Sequence, residues 1–508
     1  MYANDYILAR RKQMAAKTNK KAKKAEPQYE VYPVRISPAA CAVDLGDGSE
    51  RGEYVDQDYI LHTIGRPLRS ISLMYCYYPN DEGWPLRSSV AFKDKEVGFA
   101  WDYPYDDYFT YKGGLNGNRE DEPFNYMREI RRHGQDITLT ITMDPHLSDE
   151  HLIAIAKDLK TFGRVFLRVN HEATGTWFEF TKRATQKEIG DFFAHFTEIL
   201  KKEAPNVTTI LCTGGVDGKN SKKIEKGDDM AEGIKAADIM SIDKYFALHY
   251  GWPYDVAERG GKSHLRYNIK DVMNYTKKSY ELFKNMRGGK PTPMMMSELN
   301  SDGDVTGPYD QVNQVKEFLD MIKKEKMTWF SGFSFYQFRD RGRLGLEIED
   351  PNNPNVGIKQ PIMDYFKKMV HDPYFSPKIR KSSTKEVQFP VQLRWGNSED
   401  ADGLAVKLHL EKNPHFCELY FEEDLNLMIE LNGTWFYKAP GTKVVDLMEA
   451  FFNKPIKSAK DLTLKFFAPP ATGENDLSAE DGINNVYTTM NALPKIRIEY
   501  EPVEIKAT

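Results

Sequence analysis

The sequence predicts an α/β protein: a closed (β/α)8 (TIM) barrel carrying a C-terminal antiparallel β-sandwich. Short apolar runs alternate with amphipathic helical stretches between 67 and 372, and eight strands can be counted there. No glycine-rich GxGxxG or Walker loop follows any of these runs, which favours a closed barrel over an open doubly wound sheet. Beyond 386 the pattern becomes short alternating runs broken by Gly, Pro, Asn and Asp.

Residues 1–30 carry eight Lys or Arg between Arg10 and Lys24 and no acidic residue among them. No apolar stretch follows of the kind a secretory leader needs, so the segment reads as a disordered, solvated basic tail. Residues 31–66 read as an N-terminal β-hairpin extension with Gly46, Asp47 and Gly48 at its turn. The strand candidates are SISLMYCYY (70–78), VGFAWDY (97–103), ITLTITMDP (137–145), RVFLRVNHE (164–172), TTILCTGG (208–215), DIMSIDKYF (238–246), PMMMSELN (293–300) and FSGFSFYQF (330–338). Helical stretches such as EPFNYMREIRRH, HLIAIAKDLKTF and TQKEIGDFFAHFTEILKKEA separate most of them, with apolar residues three and four apart. Only 80–96, between the first two candidates, carries little helical signal. A polar linker over 373–386 leads to the β-sandwich at 387–508, marked by FPVQLRW, LAVKLHL, LNLMIEL, LTLKFFA and PKIRIEY.

Composition removes several function classes. With 70 basic and 75 acidic side chains the net charge is −5, so no basic excess points to nucleic acid. Cys41, Cys76, Cys212 and Cys417 lie far apart with no CxxC pair, which suggests reduced, buried thiols rather than a disulfide frame or zinc site. The eleven histidines form neither HxH nor HExxH, against a metal-dependent hydrolase. No run is long enough to span a membrane. The chain therefore reads as cytoplasmic, with lysis or unconventional export as routes outward.

Barrel active sites form at the C-terminal ends of the strands. By this count strand four ends in Arg168-Val169-Asn170-His171-Glu172, and strand seven in Ser297-Glu298-Leu299-Asn300. Two glutamates facing each other across the barrel mouth suit acetal hydrolysis, in which one carboxyl group protonates the leaving oxygen and the other attacks the anomeric carbon. For retention of configuration they should lie ~5–5.5 Å apart. Trp177 and Phe178 are candidates for the apolar setting of the acid; Arg168, His171 and Tyr245 are candidate donors to the nucleophile. Strand alternation would put Arg168, Asn170 and Glu172 on one face.

The stretch RVNHEATGTWF resembles family 26 glycoside hydrolases, the clan A family dominated by endo-β-mannanases, with Arg168, His171, Glu172, Gly175, Trp177 and Phe178 at that family's fixed positions. VGFAWDY resembles the family's second strand, and MMMSELN its nucleophile strand. The resemblance implies Glu172 as acid/base, Glu298 as nucleophile, His171 orienting the nucleophile and Tyr245 hydrogen-bonding it. It implies a retaining O-glycosyl hydrolase acting on a β-mannan-like poly- or oligosaccharide without metal or cofactor. Trp101, Trp177 and Tyr336 are candidate sugar-subsite residues, with His249 and Trp252 as further ones. The chain departs from the family at Met143-Asp144-Pro145-His146, where members carry Trp-His, and at strand eight, where Tyr336 or Phe338 takes the place of a Trp. Both departures fall on sugar recognition. The alternative is a non-catalytic glycan-binding or structural protein on the same scaffold.

Overall fold

The structure is a computed structural model that describes residues 30–46, 55–81, 109–175, 178–214, 230–249, 264–340, 342–382, 387–393, 403–468 and 488–501. Eight parallel strands close into a ring: β1 (Ala42–Gly46), β2 (Ser70–Tyr77), β3 (Asp136–Met143), β4 (Val165–Val169), β5 (Val207–Thr213), β6 (Ile239–Ile242), β7 (Met294–Asn300) and β8 (Phe330–Phe335). Neighbours pair in chain order, and β8 closes the barrel by bonding both β7 and β1. Helices cover the outside. That over Gln186–Glu203 starts at a capping box in which Thr185 and Glu188 satisfy each other's backbone N–H.

The strands are buried on both faces, but the faces differ in chemistry. On β3 every residue is buried; Ile137, Leu139 and Ile141 belong to the large apolar cluster shared with the helices, whereas Thr140 meets Arg168 of β4. The inward residues of β4 are thus Phe166 and Arg168. Phe166 joins Ile210, Ile239 and Met295 in a small separate apolar layer. Beneath it, at the strand starts, Arg69 binds Asp44 through Nε at 2.8 Å, while Asp136 accepts from Arg131 at 2.8 Å and Arg164 at 2.7 Å. Arg69 and Arg164 both lie against the Phe166 ring.

Two sequence expectations are corrected. The first barrel strand is Ala42–Gly46, and SISLMYCYY is the second, paired directly with β3 from Ser70↔Asp136 to Tyr77↔Met143. Asp44 interrupts the apolar run of β1 and hides its buried character; the Arg69 fork is what lets it be buried. VGFAWDY (97–103), expected as the second strand, lies outside the described residues, as does the tail before residue 30. The ordinals of β4 and β7 are unaffected. Nor do the described residues of 31–66 form a hairpin: Val31–Ser37 pairs instead with Lys378–Lys381 and Gly403–Leu410, and Asp47 and Gly48 of the expected turn lie outside the described residues. Part of the expected 373–386 linker is therefore a strand.

The C-terminal part is antiparallel. A six-stranded sheet runs in the order Lys378–Lys381, Val31–Ser37, Gly403–Leu410, Lys460–Phe467, Leu427–Leu431, Thr434–Lys438. A three-stranded sheet joins Val444–Asp446, Phe416–Tyr420 and Lys495–Glu499. Leu404, Leu408, Ile429, Leu464 and Phe466 from the first share one apolar cluster with Cys417 and Leu419 from the second. The other face of the larger sheet meets the barrel: Val34, Trp435 and Phe467 pack with Leu61, and Trp435 N–H donates to Gly65 O at 3.0 Å.

Asp136 is buried with two arginine partners, so losing it strands cationic charge in the barrel floor. Asp136→Ala is expected to cost about 3–5 kcal/mol of unfolding free energy in a chemical denaturation experiment; a cost below about 1 kcal/mol would show that the floor is not held by this pair.

Candidate active site

β4 ends at Val169, and the chain beyond it leaves the extended conformation. Asn170 has φ 49° and Glu172 φ 50°, both in the left-handed region, which costs a residue with a side chain about 1–2 kcal/mol. The turn is pinned on both sides. Asn170 Oδ1 accepts from Met143 N–H at 2.7 Å beside β3, and Ala173 N–H donates to Cys212 O at 3.1 Å on β5. Gly175 N–H closes back on Glu172 O at 2.8 Å. Glu172 is thus aimed by a kinked turn, not by the strand alternation expected from the sequence.

β7 departs from regularity too. Ser297 and Glu298 are consecutive, yet both contact the same guanidinium: Arg168 Nη1 donates to Ser297 Oγ at 3.1 Å and Nη2 to Glu298 Oε1 at 2.8 Å. Two adjacent residues can face one way only where the pleat breaks, and the pairing of β7 with β8 shifts register between Met296 and Leu299. The second oxygen of Glu298 accepts from Tyr245 Oη at 2.6 Å. Together the two donors fix both oxygens of the side chain in place.

Asp243, which the sequence reading passed over, completes the arrangement. It follows β6 directly, and its side chain is 1% exposed. Its oxygens accept from Ser297 Oγ at 2.6 Å and from Arg168 Nη1 at 3.1 Å. One carboxylate oxygen each from Glu172, Asp243 and Glu298 lie within 4.8 Å of one another. Such a cluster would suit a metal ion, but the cation between Asp243 and Glu298 is already the Arg168 guanidinium, and we do not read it as a metal site. Burial, and then the Glu298 charge, push the Asp243 carboxyl up to about 7, against the opposing pull of Arg168. A signal for it existed: Asp243 stands two residues before Tyr245, so an extended chain gives them one face.

The other expected residues are distributed unevenly. His171 is buried against Phe178, ring centroids 4.5 Å apart, and its Nε2 is 3.9 Å from Glu298 Oε1, too long for a hydrogen bond. Phe178 therefore packs on His171, and Arg168 and Tyr245 hold Glu298. Tyr336 lies edge-on to Tyr245 at 5.7 Å and remains partly exposed. Trp101, Trp177 and Trp252 lie outside the described residues, and of His249 only the backbone is described. At the end of β3, Asp144 bonds Arg183 at 2.7 Å and His146 at 3.1 Å, and Arg183 also bonds Asp81 at 2.8 Å and Glu179 at 3.0 Å. Among the described residues this end of β3 carries a charged cluster, with the Tyr78 ring 4.7 Å from the Arg183 guanidinium.

Burial, reinforced by the Arg168 charge, holds His171 well below the usual histidine range, so the native ring is neutral. The unfolded chain takes up a proton there as pH falls below about 6.5, so this component of stability is lost toward acid. His171→Gln removes the component. The stability gap between wild type and variant, measured by denaturation, is expected to narrow from about pH 7 to about pH 5; a gap constant with pH would refute the neutral, buried ring.

No protein-family model matches the sequence, and no curated protein is significantly similar to it. Among solved structures, the chain is similar to a GH26 β-mannanase from Bacteroides ovatus, at 12% identity and a TM-score of 0.40 over 66% of this chain and 90% of that one. It is similar to a modular endo-β-1,4-mannanase from Cellulomonas fimi at 12% identity and a TM-score of 0.40, over 84% of this chain and 94% of that one. A Thermotoga maritima α-L-arabinofuranosidase gives 11% identity and a TM-score of 0.40, over 87% and 98%. These likenesses are low, and the chemistry of this chain has to be read from its own side chains.

Proposed function

We propose that the chain is a retaining glycoside hydrolase that cleaves β-glycosidic bonds in a poly- or oligosaccharide, with β-mannan-like substrates favoured. The observation that carries this reading is the pair Glu172 and Glu298, from different strand ends, with carboxylate oxygens within 4.8 Å of each other. Oxygens that close agree with the ~5–5.5 Å carboxyl separation of double displacement. The asymmetry of their surroundings supports the division of roles. Glu298 is 7% exposed and has a donor on each oxygen, which holds it in place as an attacking group needs. Glu172 is more open and stands on a turn facing the barrel mouth.

In this scheme Glu298 attacks the anomeric carbon while Glu172 gives its proton to the departing oxygen. Glu172 then takes a proton from water as that water's oxygen displaces Glu298 from the sugar. Arg168 and Tyr245 fix the attacking oxygen in line and pay no reorganisation cost in the transition state. The scheme uses no metal ion or organic cofactor. Mannan is favoured by the sequence resemblance, and the charged groups of Asp144, His146 and Arg183 suit polar sugar contacts.

Turnover should be sought on mannan, β-1,3-xylan, mixed-linkage glucan and host-type oligosaccharides. Glu298→Ala is expected to lose at least roughly a thousandfold in kcat, the scale of removing a nucleophile, with azide restoring part of it as an inverted glycosyl azide. Saccharide binding without turnover in the wild type would instead favour a glycan-binding protein. Tyr245→Phe removes one hydrogen bond to a charged acceptor and should lower kcat/KM by roughly 10- to 100-fold. An unchanged kcat/KM would remove Tyr245 from the site's machinery.

A further inference from the structure

Tyr245 reaches Glu298 from a stretch of chain that the barrel ladder holds poorly. β6 pairs with β7 at Met240↔Met294 and Ser241↔Met295, and pairing with β7 resumes only at Lys244↔Leu299 and Tyr245↔Asn300. Between these points one side advances three residues and the other four, so the ladder is broken where Asp243 stands. Beyond the break the side chains alternate. Asp243 and Tyr245 both turn inward, to Ser297 Oγ and Glu298 Oε2 at 2.6 Å each, so Lys244 between them turns outward. Phe246, the next residue after Tyr245, is likewise buried in the apolar cluster between barrel and helices.

What Lys244 meets on that side is aromatic. Its Nζ lies 3.5 Å from the ring centroid of Tyr267 and 5.5 Å from that of Tyr275, which stands on the helix Ile269–Met286. Tyr267 is tied to the same stretch, its N–H donating to Phe246 O at 2.7 Å. Lys244 is half-buried, and among the described residues no carboxylate pairs with it. An ammonium in such a place is costly, and an aliphatic side chain would fill the space without that cost. Two ring faces offset it, because an aromatic quadrupole attracts a cation and loses the attraction once the amine is neutral. We propose that Lys244 is a positioning residue: its ammonium, clamped over Tyr267 and Tyr275, takes over from the interrupted ladder and holds the strand end so that the Tyr245 hydroxyl stays on Glu298. This rests on the reading of Glu298 as nucleophile. Burial lowers the Lys244 amine to about 8, so the clamp is made below that pH and released above it. The titratable groups packed around it are the phenols of Tyr267 and Tyr275, while Asp243 and Tyr245 of its own segment face the other way.

The test reads kcat/KM on a 2,4-dinitrophenyl β-glycoside of the sugar that the substrate panel selects. That leaving group needs no acid, so protonation of Glu172 drops out of the profile. In the wild type kcat/KM is expected to fall as pH rises through about 8. Lys244→Met should sit at the lower level, roughly fivefold down at pH 7, with no limb near pH 8. Lys244→Arg stays charged and stacks on aromatic rings, so it should recover most of the loss and also lack the limb. In a Tyr245→Phe background, Lys244→Met is expected to cost less than about twofold, because the hydroxyl it positions is gone. An equal loss in both backgrounds marks a merely structural role and overturns the inference, as does Lys244→Met with the wild-type rate and profile. Should Lys244→Met fail to fold, the other two proteins decide: a limb near pH 8 missing from the wild type, or kept by Lys244→Arg, overturns the inference. All these outcomes leave the nucleophile assignment intact. No dinitrophenolate release by the wild type from any sugar of the panel, or undiminished release by Glu298→Ala, overturns that assignment and the inference with it.

Discussion

A single guanidinium inside the barrel sets the terms for the residues around it. Arg168 is 2% exposed, and removing a cation from water costs several kcal/mol even after relaxation. That cost is offset only if every edge of the planar group finds a partner. Thr140, Asp243, Ser297 and Glu298 provide them from β3, the end of β6 and β7. Ser297 is in turn fixed by Ser241, whose hydroxyl accepts the Ser297 N–H at 2.9 Å. Tyr245 then meets a carboxylate whose position is already determined. A lysine could not make these contacts, because it lacks the rigid fork that reaches two carboxylates in different directions.

The charged groups of the barrel form two systems kept apart by an apolar layer. Arg164, Phe166 and Arg168 are successive alternate residues at the start of and along β4, so their order along the barrel axis follows from the chain. Arg164 belongs to the floor with Asp136, and Arg168 to the mouth. Between them Phe166, Ile210, Ile239 and Met295 fill the ring. The layer keeps solvent from reaching the mouth groups from below, which is why a carboxyl group there feels its neighbours so strongly.

Much of this was legible in the sequence, and what was not has identifiable causes. β4 and β7 were recoverable because continuous apolar runs, RVFLRV and PMMMS, end in ionisable residues. β1 was not, because Asp44 breaks a short run and its compensating partner, Arg69, is 25 residues away. The glycines at 46 and 48 suggested a local hairpin, while the true partners of Val31–Ser37 lie beyond the barrel, at Lys378–Lys381 and Gly403–Leu410. Turn chemistry reports on neighbours in sequence and says nothing of partners beyond them. At the site, both glutamates were found but not the means of aiming them. The left-handed turn at Asn170–Glu172 has no glycine to announce it, and the irregularity between Met296 and Leu299 leaves no compositional trace. Asp243 was overlooked beside an aromatic residue on the same face, although the two-residue spacing linked them.

The placement of Val31–Ser37 between Lys378–Lys381 and Gly403–Leu410 ties the segment before the barrel to the chain that follows it. A segment that precedes the barrel waits for partners that follow it, so this sheet cannot be completed until the chain has been made as far as Phe467. The same threading means that the C-terminal region is not a detachable appendage. Cutting the chain within the stretch after residue 382 would leave the N-terminal strand with one open edge, unpaired beside a folded barrel and available to a second molecule.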